Sequence, residues 1–217
     1  SPSRGLGDVY KRQMKDLSYG IIHFDSKDWR GIDVALLFDT TKFIPRKAKT
    51  YPLKVEYRGK PSFSRDVLVV FGFFEKEPIN LIVNHWPSRG GGQPSVAQRF
   101  KAGELNRKII DSIMSINPQS KIISMGDFND NPDDPSIKIA LKTKSEMKNI
   151  SISDMYNPME MLYTKKYFWV KKFNQGYLTI YPQVLQYFQQ TLLQAVAVLG
   201  PQYGYLSKPE EPCGVKL

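Results

Sequence analysis

The chain has 217 residues, of which 41% are hydrophobic and 12% aromatic. That composition supports a substantial core and excludes a disordered protein. A single cysteine excludes a disulfide scaffold and a cysteine-based zinc site. The formal net charge of +10 favours anionic partners, although the scattered lysines fit a generally solvated surface as well. No apolar run approaches the length of a membrane-spanning segment.

The two ends of the chain differ from its centre. Residues 1–13 contain glycine, proline and basic residues without a period, and we predict that they are a non-native leader. We expect the domain itself to span residues 14–166. From residue 167 the chain is rich in glutamine and tyrosine and poor in carboxylates. We predict that residues 167–217 are an anomalous, frameshifted or chimeric tail, with a helix over residues 184–199.

Short apolar segments predict the strands of the domain. In chain order they are Tyr19–Phe24, Gly31–Phe38, Asp66–Phe74 and Ile79–Trp86. The sequence EKEP between the last two predicts a hairpin. Several of these segments are almost continuously apolar, which indicates burial on both faces or within a sandwich core.

The period then changes to that of a helix. SVAQRFKAGELNRKIIDSIMSI predicts an amphipathic helix that ends at Asn117-Pro118. KIISM predicts a buried strand, and DDPSIKIALK predicts a short helix that begins near Asp133 or Asp134. Strand pairs followed by a helix and a further strand indicate a layered α/β domain rather than an all-β barrel.

Polar residues follow two of the predicted strands. NHWPSRGGGQ contributes Asn84, His85, Ser88 and Arg89, and GDFND contributes Asp127, Asn129 and Asp130. Strand ends in α/β sheets are where ligand sites form. An Asx-turn after a core strand explains the second motif as well.

The residue types suit the hydrolysis of a phosphate ester. Asp127 and Asn129 are two residues apart, so on an extended segment they share one face. A carboxylate takes a proton from water, an amide holds water or an oxyanion, and both offer oxygen to a hard cation. Arg30 fits a phosphate clamp, and a salt bridge to Asp28 or Asp33 fits it equally.

Three motifs in order, DSKDWRGIDVALLF, VNHWPSRGGGQ with Arg99 following, and MGDFNDNPDDPSI, resemble the endonuclease/exonuclease/phosphatase (deoxyribonuclease I-like) family. The nearest likeness is to bacterial members of unassigned substrate, over about residues 17–165. The resemblance implies a four-layer α/β sandwich with its site at one rim. It also implies attack of water on a phosphoric ester with Mg²⁺ or Mn²⁺, and a monomer acting on nucleic acid or another phosphoester.

The resemblance also implies roles for individual residues. Asp127 would activate water, Asn129 would orient water and phosphate, and both would lie at the metal. His85 would contact the phosphate and stabilise the transition state. Further phosphate contacts would come from Arg30, Asn84 and Ser88.

Departures from the family pattern matter. The family has an asparagine and a metal-binding glutamate on strands that would precede Tyr19, and an aspartate–histidine pair on its last strand. This chain has two histidines, His23 and His85. We therefore expect a sandwich incomplete at both ends, with weak or absent turnover. The alternative is a degenerate, non-catalytic domain that binds nucleic acid or phosphate.

Two other enzyme classes are disfavoured. An acyl hydrolase would carry a G-x-S-x-G elbow, which does not occur in the chain. A P-loop would end in G-K-S/T, and SRGGGQ lacks that ending.

Overall fold

The computed structural model describes residues 18–146, 148, 150–151, 153–164 and 196–198. The predicted leader, and the predicted tail apart from residues 196–198, lie outside the described residues. The strands are β1 (Tyr19–Phe24), β2 (Val34–Asp39), β3 (Phe43–Tyr51), β4 (Lys54–Tyr57), β5 (Lys60–Phe63), β6 (Val67–Phe74), β7 (Glu77–His85), β8 (Ile122–Asp127), β9 (Thr143–Lys144), β10 (Met155–Tyr156) and β11 (Val196–Val198). The helices are α1 (Gln93–Ile116) and α2 (Pro158–Thr164), with a 3₁₀ turn at Arg89–Gly91 and a π-helical turn at Ser136–Ala140.

Two sheets form the body of the described structure. The larger has the strand order β3–β6–β7–β8, in which β8 runs parallel to β7 and the other neighbours are antiparallel. The smaller has the order β1–β2–β11. Strands β4 and β5 make a separate hairpin, and β9 and β10 make a short parallel pair.

The central strands β6 and β7 of the larger sheet are buried on both faces, which explains their continuous apolar sequences. One face packs against the smaller sheet through Leu68, Val70, Leu81 and Val83, with Leu36 opposite them. The other face packs against α1, through a set that includes Val67, Val69, Ile82, Trp86, Ile109 and Ile110. The described residues therefore supply three layers of a mixed α/β sandwich: helix, sheet and sheet.

Local signals predict most of these elements. The predicted hairpin at EKEP is the β6–β7 turn, where Glu75 and Lys76 have φ of 48° and 76°. Such positive φ pairs match the twist of two-residue hairpins. Helix α1 ends at Ile116 with Asn117 as its C-cap, as the Asn-Pro sequence predicts.

Other expectations differ from the structure. The segment predicted to be a short helix from Asp133 or Asp134 is a π-helical turn over Ser136–Ala140. Residues 196–198, predicted to be helical, form β11 and pair with β2. Strand β3 and the β4–β5 hairpin were not predicted, because their exposed lysines break the apolar pattern.

None of the helices among the described residues has the length and apolar character needed to cross a bilayer.

Candidate active site

Two adjacent parallel strands bring His85 and Asp127 together. The register of β7 and β8 pairs His85 with Asp127, the last residue of each strand. Paired residues on neighbouring strands point to the same face of a sheet. The two side chains meet with His85 Nε2 and Asp127 Oδ2 4.0 Å apart. That separation exceeds a direct hydrogen bond and leaves room for a bridging atom.

Gly126 is what allows β8 to approach β7 so closely. Its φ is +128°, and a Cβ atom there would lie 2.0 Å from the carbonyl oxygen of Asn84. A side chain would therefore collide with the neighbouring strand just before Asp127. The glycine at the end of the KIISMG run is therefore a steric requirement for the close approach of β8 to β7.

Asn129 connects the two polar loops. Its main-chain N–H donates to Asp127 Oδ1 at 2.9 Å, which is an Asx-turn. Its side-chain Nδ2 donates to the carbonyl oxygen of Trp86 at 2.8 Å. Asn129 adopts φ of +51°, a left-handed conformation that asparagine tolerates better than most residues. The turn and the site are thus the same feature.

Burial governs the protonation of the pair. Burial, with the neighbouring Arg65 and Arg30 charges, lowers the pKa of His85 to about 3, so its imidazole is neutral at pH 7. Burial raises the pKa of Asp127, although the Asn129 N–H and Arg65 partly oppose the rise. His85 Nδ1 is buried and has no hydrogen-bond partner among the described residues. A buried acceptor without a hydrogen bond costs less free energy than a buried N–H without one. We therefore assign the imidazole proton of His85 to Nε2.

Arg65, which was not predicted, lies beneath this pair. Its side chain is 2% exposed, and its Nε donates to the carbonyl oxygen of His85 at 3.0 Å. Its Nη2 donates to the carbonyl oxygen of Trp86 at 2.5 Å, the same oxygen that Asn129 uses. Burial lowers the pKa of Arg65 to about 10, which still leaves it charged at pH 7. In the sequence, SFSRDVLVV gives no sign that this arginine differs from a solvated one.

Asp28 is the buried counter-ion of both arginines. Its Oδ2 lies 3.7 Å from Arg65 Nη1, and its two oxygens accept from Arg30 Nε at 2.9 Å and Nη2 at 2.6 Å. Burial would raise the pKa of Asp28, but the hydrogen bonds from Arg30 outweigh it and lower the pKa. Arg30 therefore makes the salt bridge to Asp28 that its sequence context allowed. Its side chain stays 36% exposed.

Asn84 lies on the opposite face of β7 from His85. It is fully buried, and its Nδ2 donates to Ser124 Oγ at 3.0 Å. Its Oδ1 accepts from Asn106 at 2.6 Å and from the Trp86 indole at 3.1 Å. The structure thus places Asn84 in a polar network against α1, away from His85 and Asp127.

Ser88 is exposed and precedes the 3₁₀ turn without a side-chain capping bond.

Asp130 is held differently from Asp127. Its Oδ1 lies 2.7 Å from the buried Arg99 Nε, and its Oδ2 accepts from Ser136 Oγ at 2.6 Å. Asp130 therefore fastens the GDFND loop to α1, which is a structural role.

The donor set at the rim fits a hard cation in part. Asp127 and Asn129 offer carboxylate and amide oxygens, the ligand types that Mg²⁺ takes, and Mg²⁺ often binds through one or two carboxylates with several waters. A separate group of three potential metal ligands among the described residues, His23, Asp25 and Asp33, has its ligand atoms within 4.8 Å of one another. Both oxygens of Asp33 already accept hydrogen bonds, from His23 at 3.2 Å and the Ser26 N–H at 2.7 Å.

Two packed sheets covered by a helix, with a histidine and an aspartate at the ends of adjacent parallel strands, define an α/β sandwich with a rim site. The sequence profile of the Endonuclease/Exonuclease/phosphatase family matches residues 6–185, and the chain belongs to this family. Members of this family hydrolyse phosphoesters. No curated protein matches the chain by sequence.

Solved structures similar to this chain include three from different organisms. Truncated TDP2 of Caenorhabditis elegans is 16% identical with a TM-score of 0.44, over 62% of this chain and 48% of that one. The human Nocturnin catalytic domain, solved with a sulfate anion, is 17% identical with a TM-score of 0.47, over 70% and 59%. A family protein of Bacteroides thetaiotaomicron is 17% identical with a TM-score of 0.43, over 62% and 49%. The chain thus spans about half the length of these structures.

Proposed function

We propose that this chain carries the site of a metal-dependent phosphoric-ester hydrolase of the phosphodiesterase or nuclease type. The observation that supports the proposal most is the 4.0 Å separation of His85 Nε2 and Asp127 Oδ2 at the ends of paired strands. A donor and a base that converge on one gap, without bonding each other, can act on one bound phosphate.

Asp127 is the proposed base. Its Oδ1 is occupied by the Asn129 N–H, which leaves Oδ2 to face the gap. Because burial raises its pKa, the carboxylate is a stronger base than an exposed aspartate while it remains able to ionise. It takes one proton from the attacking water.

His85 is the proposed donor to the phosphate. As a neutral imidazole with its proton on Nε2, it donates one hydrogen bond to a phosphoryl oxygen and stabilises the charge that develops there. Asn129 Nδ2 donates to the Trp86 carbonyl, and we propose that the amide oxygen of the same side chain orients the water.

Mg²⁺ or Mn²⁺ would be held by the oxygens of Asp127 and Asn129 and would supply positive charge to the phosphoryl oxygens. Arg30 and Ser88 remain proposed phosphate contacts, and Arg30 uses two of its five N–H donors on Asp28. The proposed substrate is nucleic acid or another phosphoester.

A second candidate is a non-catalytic domain that binds phosphate or nucleic acid. It is favoured by the small donor set at the rim and by the presence of only two histidines in the chain. Loss of one electrostatic group typically lowers a rate by about 100-fold or more. We therefore expect slow turnover from these 217 residues.

The test is hydrolysis of bis-para-nitrophenyl phosphate and plasmid DNA at high enzyme concentration with Mg²⁺. We expect slow hydrolysis that a chelator stops and that Asp127→Ala removes. Asp133→Ala, in the same loop, is the matched control and should retain the rate. Absence of any hydrolysis that depends on both Mg²⁺ and Asp127 would leave the non-catalytic candidate.

A further inference from the structure

The loop between β1 and β2 holds a large apolar side chain out in solvent. Trp29 is 73% exposed, the largest exposure of any aromatic side chain among the described residues. Its neighbour Asp28 is 5% exposed and fixed by both Arg30 and Arg65. Burying an indole instead would contribute about 2 kcal/mol or more, so this loop forgoes stability while being firmly anchored.

Hydrogen bonds within the loop fix its shape. Ser26 Oγ donates to the Ile32 carbonyl at 2.9 Å, and the Ser26 N–H donates to Asp33 Oδ1 at 2.7 Å. The Gly31 N–H donates to the Asp28 carbonyl at 2.9 Å. Trp29 therefore projects from an ordered turn.

The same anchor connects the loop to the candidate active site. Asp28 pairs with Arg65, and Arg65 donates to the carbonyl oxygen of His85. Trp29 is thus one residue from a buried ion pair that contacts the backbone of His85. The loop that carries Trp29 is therefore joined to the strand end that carries His85.

The β4–β5 hairpin presents a second aromatic residue next to this loop. Tyr57 is 49% exposed at the turn. Tyr57 also contributes to the raised pKa of Arg30, for which the hydrogen bond to Asp28 is the main cause. Lys27 Nζ, from the loop, lies 5.2 Å from the centre of the Phe63 ring on β5.

Cations accompany the hairpin tyrosine. Arg58 Cζ lies 5.3 Å from the centre of the Tyr57 ring, and the hairpin also exposes Lys54 and Lys60. Aromatic rings interleaved with cations are how proteins bind single-stranded nucleic acid, because bases stack on rings and phosphates pair with cations. In double-stranded nucleic acid the bases are stacked inside the duplex and are not free to stack on such rings.

We propose that Trp29 and Tyr57 form a stacking platform for the bases of single-stranded nucleic acid whose phosphate lies at His85 and Asp127. This inference rests on the proposed function, since it names the substrate class of the same site. An anionic membrane is the competing partner. Membrane surfaces use a continuous apolar face, whereas Tyr57 here lies among the exposed, charged residues Lys54, Glu56, Arg58 and Lys60.

The test measures binding without turnover, by fluorescence anisotropy of a labelled oligothymidylate in EDTA. Probes of the same length are an abasic strand, which keeps the phosphates, and a duplex. We expect Trp29→Ala and Tyr57→Ala each to weaken oligothymidylate binding by about tenfold, because stacking contributes about 1–3 kcal/mol per base. Trp29→Phe should restore most of it, and Tyr156→Ala, at a 37% exposed tyrosine on β10, should change nothing.

The dependence of binding affinity on salt concentration distinguishes the contribution of the aromatic ring from that of the cation. Trp29→Ala should keep the wild-type dependence of affinity on salt, whereas Arg58→Gly, which suits the φ of +50° there, should reduce it. Equal binding of the abasic strand, a preference for duplex, unchanged binding by Trp29→Ala, or binding only to phosphatidylserine vesicles would overturn the inference. Base-dependent binding without Mg²⁺-dependent hydrolysis would contradict the proposed function and leave this inference standing. Hydrolysis without base-dependent binding would contradict this inference and leave the proposed function standing.

Discussion

The guanidinium of Arg65 donates a hydrogen bond to the main-chain carbonyl of His85 at 3.0 Å. Because the same guanidinium also reaches the Trp86 carbonyl and Asp28, it fixes the backbone on which His85 stands. Asn129 shares the Trp86 carbonyl, so the two loops of the site depend on one buried cation.

Replacing this cation should be costly to the fold. We expect Arg65→Met to destabilise the chain by about 3 kcal/mol or more, because it removes the hydrogen bonds to the His85 and Trp86 carbonyls and one of the two cations that neutralise the buried Asp28. Arg46→Met is the control, since Arg46 is exposed and its Cζ lies 5.8 Å from the centre of the Phe73 ring. We expect a loss of less than about 1 kcal/mol there. Urea unfolding measures both, and equal midpoints for Arg65→Met and wild type would refute the role of Arg65.

Two glycines with positive φ provide a matched pair. Gly126→Ala should destabilise the chain by more than about 3 kcal/mol, because a Cβ would lie 2.0 Å from the Asn84 carbonyl oxygen. A Cβ at Gly31, where φ is +67°, would meet nothing within 4 Å, so Gly31→Ala should cost only the backbone strain of about 1–2 kcal/mol. Similar losses in urea unfolding would show that β8 does not approach β7 as described.

Two substitutions at Asn129 distinguish its conformational role from its proposed role as a metal ligand. Its φ of +51° suits glycine, so Asn129→Gly should lose only the hydrogen bond to the Trp86 carbonyl, about 1 kcal/mol, while Asn129→Ala should be less stable again because alanine is strained there. Both variants lack the amide oxygen, so both should bind Mn²⁺ more weakly in a water-proton relaxation titration. Wild-type Mn²⁺ affinity in Asn129→Gly would remove Asn129 from the proposed metal ligands.

The buried imidazole should make stability depend on pH. The pKa of His85 is about 3 in the folded chain and about 6.5 when unfolded, so only the unfolded chain binds this proton between those values. Stability conferred by neutral His85 is therefore complete above pH 6.5 and falls as pH drops toward 3, by up to about 1.4 kcal/mol per pH unit. His85→Gln should lose that part of the slope in urea unfolding from about pH 4 to 6.5, and an unchanged slope would contradict the burial of His85.

Much of the fold could be predicted from the sequence because the signals for its elements are local. Strand β1, the β6–β7 turn and the end of α1 at Asn117 each depend on neighbouring residues alone. Strand β3 was missed because only one face of it is covered, and its exposed face carries Arg46, Lys47 and Lys49.

The site could be predicted from the sequence only in part, because it depends on contacts between residues that are distant along the chain. His85 and Asp127 could be predicted as site candidates, since each ends an apolar strand. That they pair in register depends on the parallel packing of β7 and β8, which no local pattern encodes. Arg65 and Asp28 owe their roles to burial, and an isolated arginine and aspartate look the same whether buried or solvated. Asn84, beside His85 in sequence, points the other way because strand neighbours alternate.

The most direct test of the account is whether one phosphate contacts both His85 and Asp127. The chain has two histidines, so the imidazole proton resonances of His23 and His85 can be followed separately by NMR and assigned with His85→Gln. Inorganic phosphate with Mg²⁺ should shift the His85 resonances and leave those of His23 in place, and Asp127→Asn should abolish or strongly weaken that shift. A His85 signal that ignores phosphate, or responds equally in Asp127→Asn, would contradict a shared site.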